Sequence, residues 1–439
     1  MEQIRLPSDH PARAALAAEV HARPPVPAVS PAVISSFALL EVAADEVYAR
    51  LRTLAAGQGV ELAAQAPTHL ISELPGLRAV WERHGEFVRL TFVRPLPQHP
   101  LGELDDFPSA FSALPADWLE TLPGLTIAAT DVALLPNGDA DDESEALARW
   151  FASPALAGAE VLDGSARIFT DFIAADEQGG SARTRWLVLD GGMGPARSAR
   201  LVQRLLEIET YRMLALLALP LARAAIPSLD AIEQRLAEIT AATAGLQGTG
   251  SGAQHEERRL LDELTRIAAD VEHSAAETAF RFSAGQAYWE LVRSRVAELR
   301  EQRIGDTRTI GGFLSRRLAP AMNSAAAAGR RQEELSARIE RASTLLRTRV
   351  DIALEEQNQE LLVALDRRSQ TALRIQLAVE GLSVAAITYY TVSLIDYLVR
   401  PLTHVWHGLD TDWIVAGFVP VVALIAWRAL ERAFRGLHD

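Results

Sequence analysis

The sequence predicts an α+β protein in three parts. These are a mixed α/β domain over residues 1–195, a helical bundle with a long stalk helix over 196–370, and a two-helix transmembrane hairpin over 371–439. Three observations carry this. Short β-rich runs punctuated by proline fill the first part. Beyond Pro195, apolar residues recur at three-to-four spacing with few breaks. Near the end, 381–395 (GLSVAAITYYTVSLI) and 413–427 (WIVAGFVPVVALIAW) carry no charge at all.

In the first part, 34–40 is an apolar run suited to a buried strand. Segments 77–83 and 87–93 are rich in β-formers, and His84, Gly85 and Glu86 between them read as a hairpin turn. Segments 166–172 and 184–190 are further strands, and Pro24, Pro25, Pro27, Pro95, Pro97, Pro100 and Pro136 mark loops. Asp139, Asp141, Asp142, Glu143 and Glu145 lack the glycine and closing glutamate of a calcium loop. They are expected instead to open the helix leading to Trp150, where carboxylates meet the positive helix end. The run Gly191, Gly192, Met193, Gly194, Pro195 is expected to be a tight strand-to-helix turn. Its alternative is a phosphate site, because amides at a helix start can hold an anion alongside Arg197 and Arg200.

In the second part, 201–223 (LVQRLLEIETYRMLALLALPLAR) is helical until Pro220, and Ser228 is expected to cap a helix over 229–244. The glycine-rich 245–252 precedes a helical stretch over 255–303, and Gly311 and Gly312 mark a second break. Past Pro320 and Gly329, an uninterrupted helix is expected to begin near Arg330. Leu335, Ile339, Ala342, Leu346, Val350, Ala353, Gln357, Leu361 and Ala364 form its seam, nearer an 11-residue than a 7-residue repeat. That predicts coiled-coil-like packing, straight or slightly right-handed, with the polar Gln357 fixing register.

In the third part, each uncharged stretch gives roughly 22 Å of helix against about 30 Å of hydrocarbon. Flanking residues extend the spans to about 375–398 and 412–430 if Glu380 and Asp396 are tolerated and Arg428 reaches the headgroups. Trp413 and Trp427 bracket the second span like interfacial anchors. Arg367, Arg368 and Arg374 precede the first span, and Arg428, Arg432 and Arg435 follow the second. The loop offers Arg400 against Asp396, Asp410 and Asp412. Positive-inside logic then puts both termini in the cytoplasm. The competing assignment is a pair of buried helices in a soluble domain.

Composition excludes much chemistry. Among 439 residues there is no Cys and no Lys, so all 43 basic residues are Arg. Thiol nucleophiles, iron–sulfur clusters, P-loop lysines and Schiff-base lysines are ruled out. A net charge of −14 argues against nucleic acid as a partner. No catalytic constellation stands out, so the chain is not expected to be an enzyme.

The candidate sites are therefore for binding or passage. Glu380, Ser383, Thr388, Tyr390 and Thr391 fall on one side of the first span. In an oligomer, Glu380, Ser383, Thr388 and Thr391 would ring a cation path; in a simple anchor they would be a helix-packing face. His404 and His407, with Asp410 and Asp412, are weak metal candidates against an ordinary interfacial turn. His21 and Arg23, near His10 and Glu19, are candidates for a ligand or regulatory site; the alternative is a helix end stopped by Pro24.

Three segments carry a resemblance: 10–25 (HPARAALAAEVHARPP), 201–223, and 347–390 with RTRVDIALEEQNQELL and IQLAVEGLSVAAITYY. Together they resemble the membrane-anchored bacterial family known as domain of unknown function 3422, a likeness that implies the inner membrane and brings no activity. The layout is also similar, at a distance, to CorA-type divalent-cation channels, although their Gly-Met-Asn motif is absent and 395–408 reads IDYLVRPLTHVWHG. The expected function is a membrane-anchored homo-oligomer with a large cytoplasmic domain. By the CorA-like layout it would pass a divalent cation; otherwise it would be a tethered scaffold or binding module without transport. No resident cofactor is expected, and the partners are the lipid bilayer and further copies of the chain.

Overall fold

The computed structural model describes residues 10–13, 24–97, 101, 104–151, 156–173, 182–246, 251–399 and 411–435. The chain divides into two compact units, one comprising 1–242 and 263–342, the other 243–262 and 343–439.

The first unit is built on a sheet of nine strands: β1 (Ala32–Leu40), β2 (His69–Leu74), β3 (Leu77–Arg83), β4 (Val88–Pro95), β5 (Leu125–Pro136), β6 (Ala157–Val161), β7 (Ala166–Thr170), β8 (Thr184–Asp190) and β9 (Gln302–Arg303). Their order is β2-β3-β4-β1-β5-β8-β7-β6-β9. β5 and β8 pair in parallel, while the other neighbours run antiparallel. β1 is central and buried from Ala32 to Leu39. A strand covered on both faces loses the polar alternation of a half-exposed one, hence the continuous run AVISSFALL.

Helices cover both faces. On one, Ile34, Val132, Leu134, Trp186 and Val188 share a core with Leu201, Leu205 and Leu206 of α4 (Pro195–Leu216). The other face carries two separate apolar clusters. Phe37, Trp81, Leu90 and Phe92 pack with Val47, Tyr48 and Leu51 of α1 (Ala44–Gly57). Ala133, Leu135, Leu187 and Leu189 pack with Ala146 and Trp150 of α3 (Ala140–Trp150). A 3-10 turn (Ala110–Ala113) and the short α2 (Ala116–Glu120) pack with the first of these clusters through Ala110, Phe111, Trp118 and Leu119. Asp139 caps α3 by accepting the Asp141 and Asp142 amides at 3.1 and 2.8 Å, as the acidic run implied.

The long helices are α5 (Ala218–Gly245), α6 (Ser251–Leu299), α7 (Ile310–Arg317), α8 (Ala319–Val399) and α9 (Thr411–Arg435). Five expectations need correction here. Ser228 caps nothing: α5 runs through Pro227 because Ala222, Ala225, Leu229, Ile232 and Leu236 are buried at helical spacing, which holds the turn despite the lost amide. The stretch to Arg303 is not all helix. Arg300 takes φ +52, turning the chain so that Gln302 and Arg303 can pair with β6.

Gly311 and Gly312 are not a break but the first turn of α7, capped by Thr309. Glu301 accepts the Ile310 and Gly311 amides at 2.7 and 3.0 Å. A Cβ on Gly311 would stand 2.9 Å from that carboxylate, which explains the glycine. The last long helix begins at Ala319 rather than near Arg330. Pro320 falls in its first turn, where the amide that proline lacks has no helical partner to lose.

Finally, the seam is buried only in part. Leu335, Ile339, Leu346 and Ala353 are covered, whereas Gln357, Leu361 and Ala364 are exposed. A different polar residue of this helix, Gln332, is buried, and its amide donates to Ser274 Oγ at 3.0 Å and Thr278 Oγ1 at 3.1 Å on α6.

Candidate functional site

The sequence-predicted pore residues all lie in the last quarter of α8. Glu380 is half-buried and accepts from Gln376 Nε2 at 3.4 Å. Ser383 and Thr391 are half-buried. Thr388 is buried and donates its hydroxyl to the Val384 carbonyl at 2.7 Å, one turn back in its own helix. Around this stripe the helix is bare: Leu382, Ile387, Tyr389, Tyr390, Leu394 and Leu398 are exposed. His21, Arg23, His404 and His407 lie outside the described residues. Among the described residues, no three His, Asp or Glu side chains converge as a metal site.

Two helical segments are long and apolar enough to cross a membrane by length and composition, Pro195–Gly245 and Ile310–Leu398. They differ in surroundings. The most apolar window of the first is 33% buried, because α4 lines the sheet core; that of the second is 0% buried. Val415–Ala429 in α9 is a shorter apolar helix.

A second constellation, in the sheet, is one that sequence reasoning missed. Ser35 on β1 stands opposite Asp131 on β5, and Asp131 stands opposite Arg185 on β8. Arg185 reaches Asp171, just past β7, at 3.8 Å. This polar row crosses the face that carries two apolar clusters and falls between them. Asp131 is only 3% exposed. Its Oδ1 accepts the Ser35 hydroxyl and, at 2.8 Å, that of Ser109, while Arg183 Nε approaches Oδ2 at 3.4 Å. Ser35 in turn accepts the Ala110 amide at 2.7 Å, tying the 3-10 turn to β1. Arg183 lies over the Phe111 ring, and Arg185 over Phe107 and Phe151.

Burial pushes the Asp131 carboxyl upward; the two serine hydrogen bonds and the nearby arginines only partly oppose it. The row therefore pairs a buried carboxyl, raised above its ordinary range, with two half-exposed guanidiniums at its rim. It also pins register, since a one-residue slip would set Asp131 against apolar neighbours. A charged residue inside LTIAATDVALLP was the available signal; Arg183 and Asp171 carried none, because their proximity depends on strand order.

A helix-covered mixed sheet followed by a long helix with a bare apolar end defines an α/β protein with an extended apolar C-terminal region. The chain belongs to the DUF3422 family, described as a protein of unknown function, whose profile matches residues 8–437. No curated protein and no solved structure matches it.

Proposed function

We propose that this chain is a membrane-anchored protein of the bacterial inner membrane. In this reading the end of α8 and α9 form a two-helix anchor, the sheet domain works on the cytoplasmic side with both termini, and several copies assemble. One observation carries it: more than half of the exposed large hydrophobics among the described residues fall between Ile375 and Trp427. Fully burying one such side chain is worth about 1.5–3 kcal/mol. Leaving them all in water would cost on the order of tens of kcal/mol, more than the about 5–15 kcal/mol that holds a domain folded. Lipid removes that cost over 381–395, which has no charge. Trp413 and Trp427, both exposed, suit the two headgroup levels of α9.

The anchor is a tether for a binding module rather than a pore. Thr388 already satisfies its hydroxyl within α8, so the polar stripe does not need water or an ion to complete it. The test is extraction from membranes. The full-length chain should stay in the pellet through an alkaline carbonate wash and leave it only in detergent. Recovery as a monodisperse species in plain buffer would overturn the reading.

One observation favours the second reading, a CorA-like passage for divalent cations. Glu380 keeps a carboxylate at the edge of an uncharged stretch, on the same side as Ser383, Thr388 and Thr391. A buried charge in a span is costly unless it faces protein or water. Divalent-cation flux into liposomes that carry the parent chain, abolished by Glu380→Gln and Thr391→Val, would establish it. No flux from the parent leaves the tether.

A further inference from the structure

We infer that the first unit holds a binding site for a phosphate-bearing anion, in a cleft between the start of α4 and the end of α6. The cleft is about 560 Å³ and is lined by Arg197, Arg200, Arg204 and Arg300, with Ser294 and Glu298. That volume lies within the range of about 300–1,000 Å³ usual for small-ligand sites. Three of the arginines lie at i, i+3 and i+7 on one face of α4. Arg300 comes from the left-handed turn that ends α6, about a hundred residues on.

Among the described residues, the charges here do not balance. Arg204 pairs with Glu298 at 2.8 Å, and Arg295 pairs with Glu298 and Glu207. Arg300 pairs with Asp163 at 2.8 Å. Among the described residues, Arg197 has only the Ser165 hydroxyl, at 3.2 Å, and Arg200 makes no ion pair. Two guanidiniums are thus left over, in a chain whose net charge is −14.

Their position makes the surplus sharper. They sit in the first two turns of α4, where the helix dipole is positive and a carboxylate would be the stabilising choice. Yet the first turn has no acidic residue, and Gly194 supplies no side-chain cap. Asp190 accepts the Gly192 and Met193 amides at 2.9 and 2.6 Å, which fixes the turn leading into the cleft. Two uncompensated guanidiniums, a positive helix end and a cleft between them are what a phosphate group satisfies, through paired charge-assisted hydrogen bonds. The source of that phosphate is either a soluble phosphate ester or anhydride, or a lipid headgroup.

Calorimetric titration of the purified full-length chain in detergent separates these. Inorganic pyrophosphate is one probe, and dihexanoyl phosphatidic acid below its micellar concentration is the other, with dihexanoyl phosphatidylcholine as control. Binding of pyrophosphate that weakens with added salt and falls at least tenfold in Arg197→Gln/Arg200→Gln identifies a soluble ligand. The same loss for phosphatidic acid alone identifies a headgroup. Both arginines are exposed, so the double variant should keep the parent's circular dichroism spectrum. If neither probe binds, or if binding survives the double substitution in a folded protein, the inference is wrong.

Discussion

Asp131 is a carboxyl group set where water does not reach, and its neighbours decide what that costs. Two hydroxyls and two arginines supply partners, yet burial dominates, so the group holds its proton above the ordinary Asp value of 3.8. A carboxyl raised in the folded state binds more protons there than in the unfolded chain across the window between the two values. Stability from this group is therefore complete below the ordinary value and is lost as pH rises through the folded one. Asp131→Asn carries no such dependence. Its stability relative to the parent should rise with pH across that window, by about 1.4 kcal/mol for each unit of the shift, and then level off. Urea unfolding at a series of pH values reads this directly, and a pH-independent offset would refute it. The Glu82–Arg89 pair on β3 and β4 shows the opposite balance. Burial again works upward on Glu82, but the Arg89 charge and the 2.6 Å hydrogen bond outweigh it and bring the carboxyl below its usual range. That pair loses its contribution as pH falls, so the two sites tilt the stability curve in opposite directions.

Elements whose own residues fix them were legible in the sequence. β3 and β8 appear with the bounds expected for them, and the acidic run opens α3. What escaped depends on residues far apart in the chain. β5, with Asp131 inside it, is absent from the expected strands and is set by β1 and β8 on its flanks. β9 is two exposed residues that become a strand only through β6. The helix breakers misled for a related reason. Ser228 as a helix start and Gly329 as a breaker both follow from local residues, but packing decides in a bundle. Gly285 illustrates the tightness of that packing: a Cβ there would come within 2.9 Å of the Ala218 Cβ and 3.2 Å of the Ala215 carbonyl oxygen. Side chains at 3.6 periodicity say that a helix has a face; they do not say what lies against it. Thus Leu361 and Ala364 continue the seam of Leu335 and Ile339 in sequence but not in burial. The candidate sites divide the same way. Arg197 and Arg200 were visible as neighbours in one helix, whereas Arg300 joins them only through the fold.

The proposed assembly of several copies bears on a bare stretch of α8. From 354 to 374, all residues of α8 are exposed, before the proposed span begins. This segment is no lipid span, because Glu355, Glu356, Glu360, Asp366, Arg367, Arg368 and Arg374 lie along it. It is no ordinary solvated helix either, since Leu361, Leu362, Val363 and Leu365 are each more than half exposed. An isolated helix with apolar residues bare in water lacks the tertiary contacts that supply most helix stability. A second copy would provide them by laying the same stretch of helix against this one, with Leu354, Leu361 and Leu365 at coiled-coil spacing. Leu361→Asp with Leu365→Asp should then dissociate the assembly. Each buried leucine lost from such a contact costs about 2–5 kcal/mol, enough to weaken association by well over tenfold. Light scattering in detergent should give a multiple of the chain mass for the parent and a single chain mass for the double variant. The variant should still resist carbonate extraction, because its anchor is untouched. A parent that is already a single chain, or a variant that stays assembled, would remove self-association from the proposed function and leave the bare helix to some other partner.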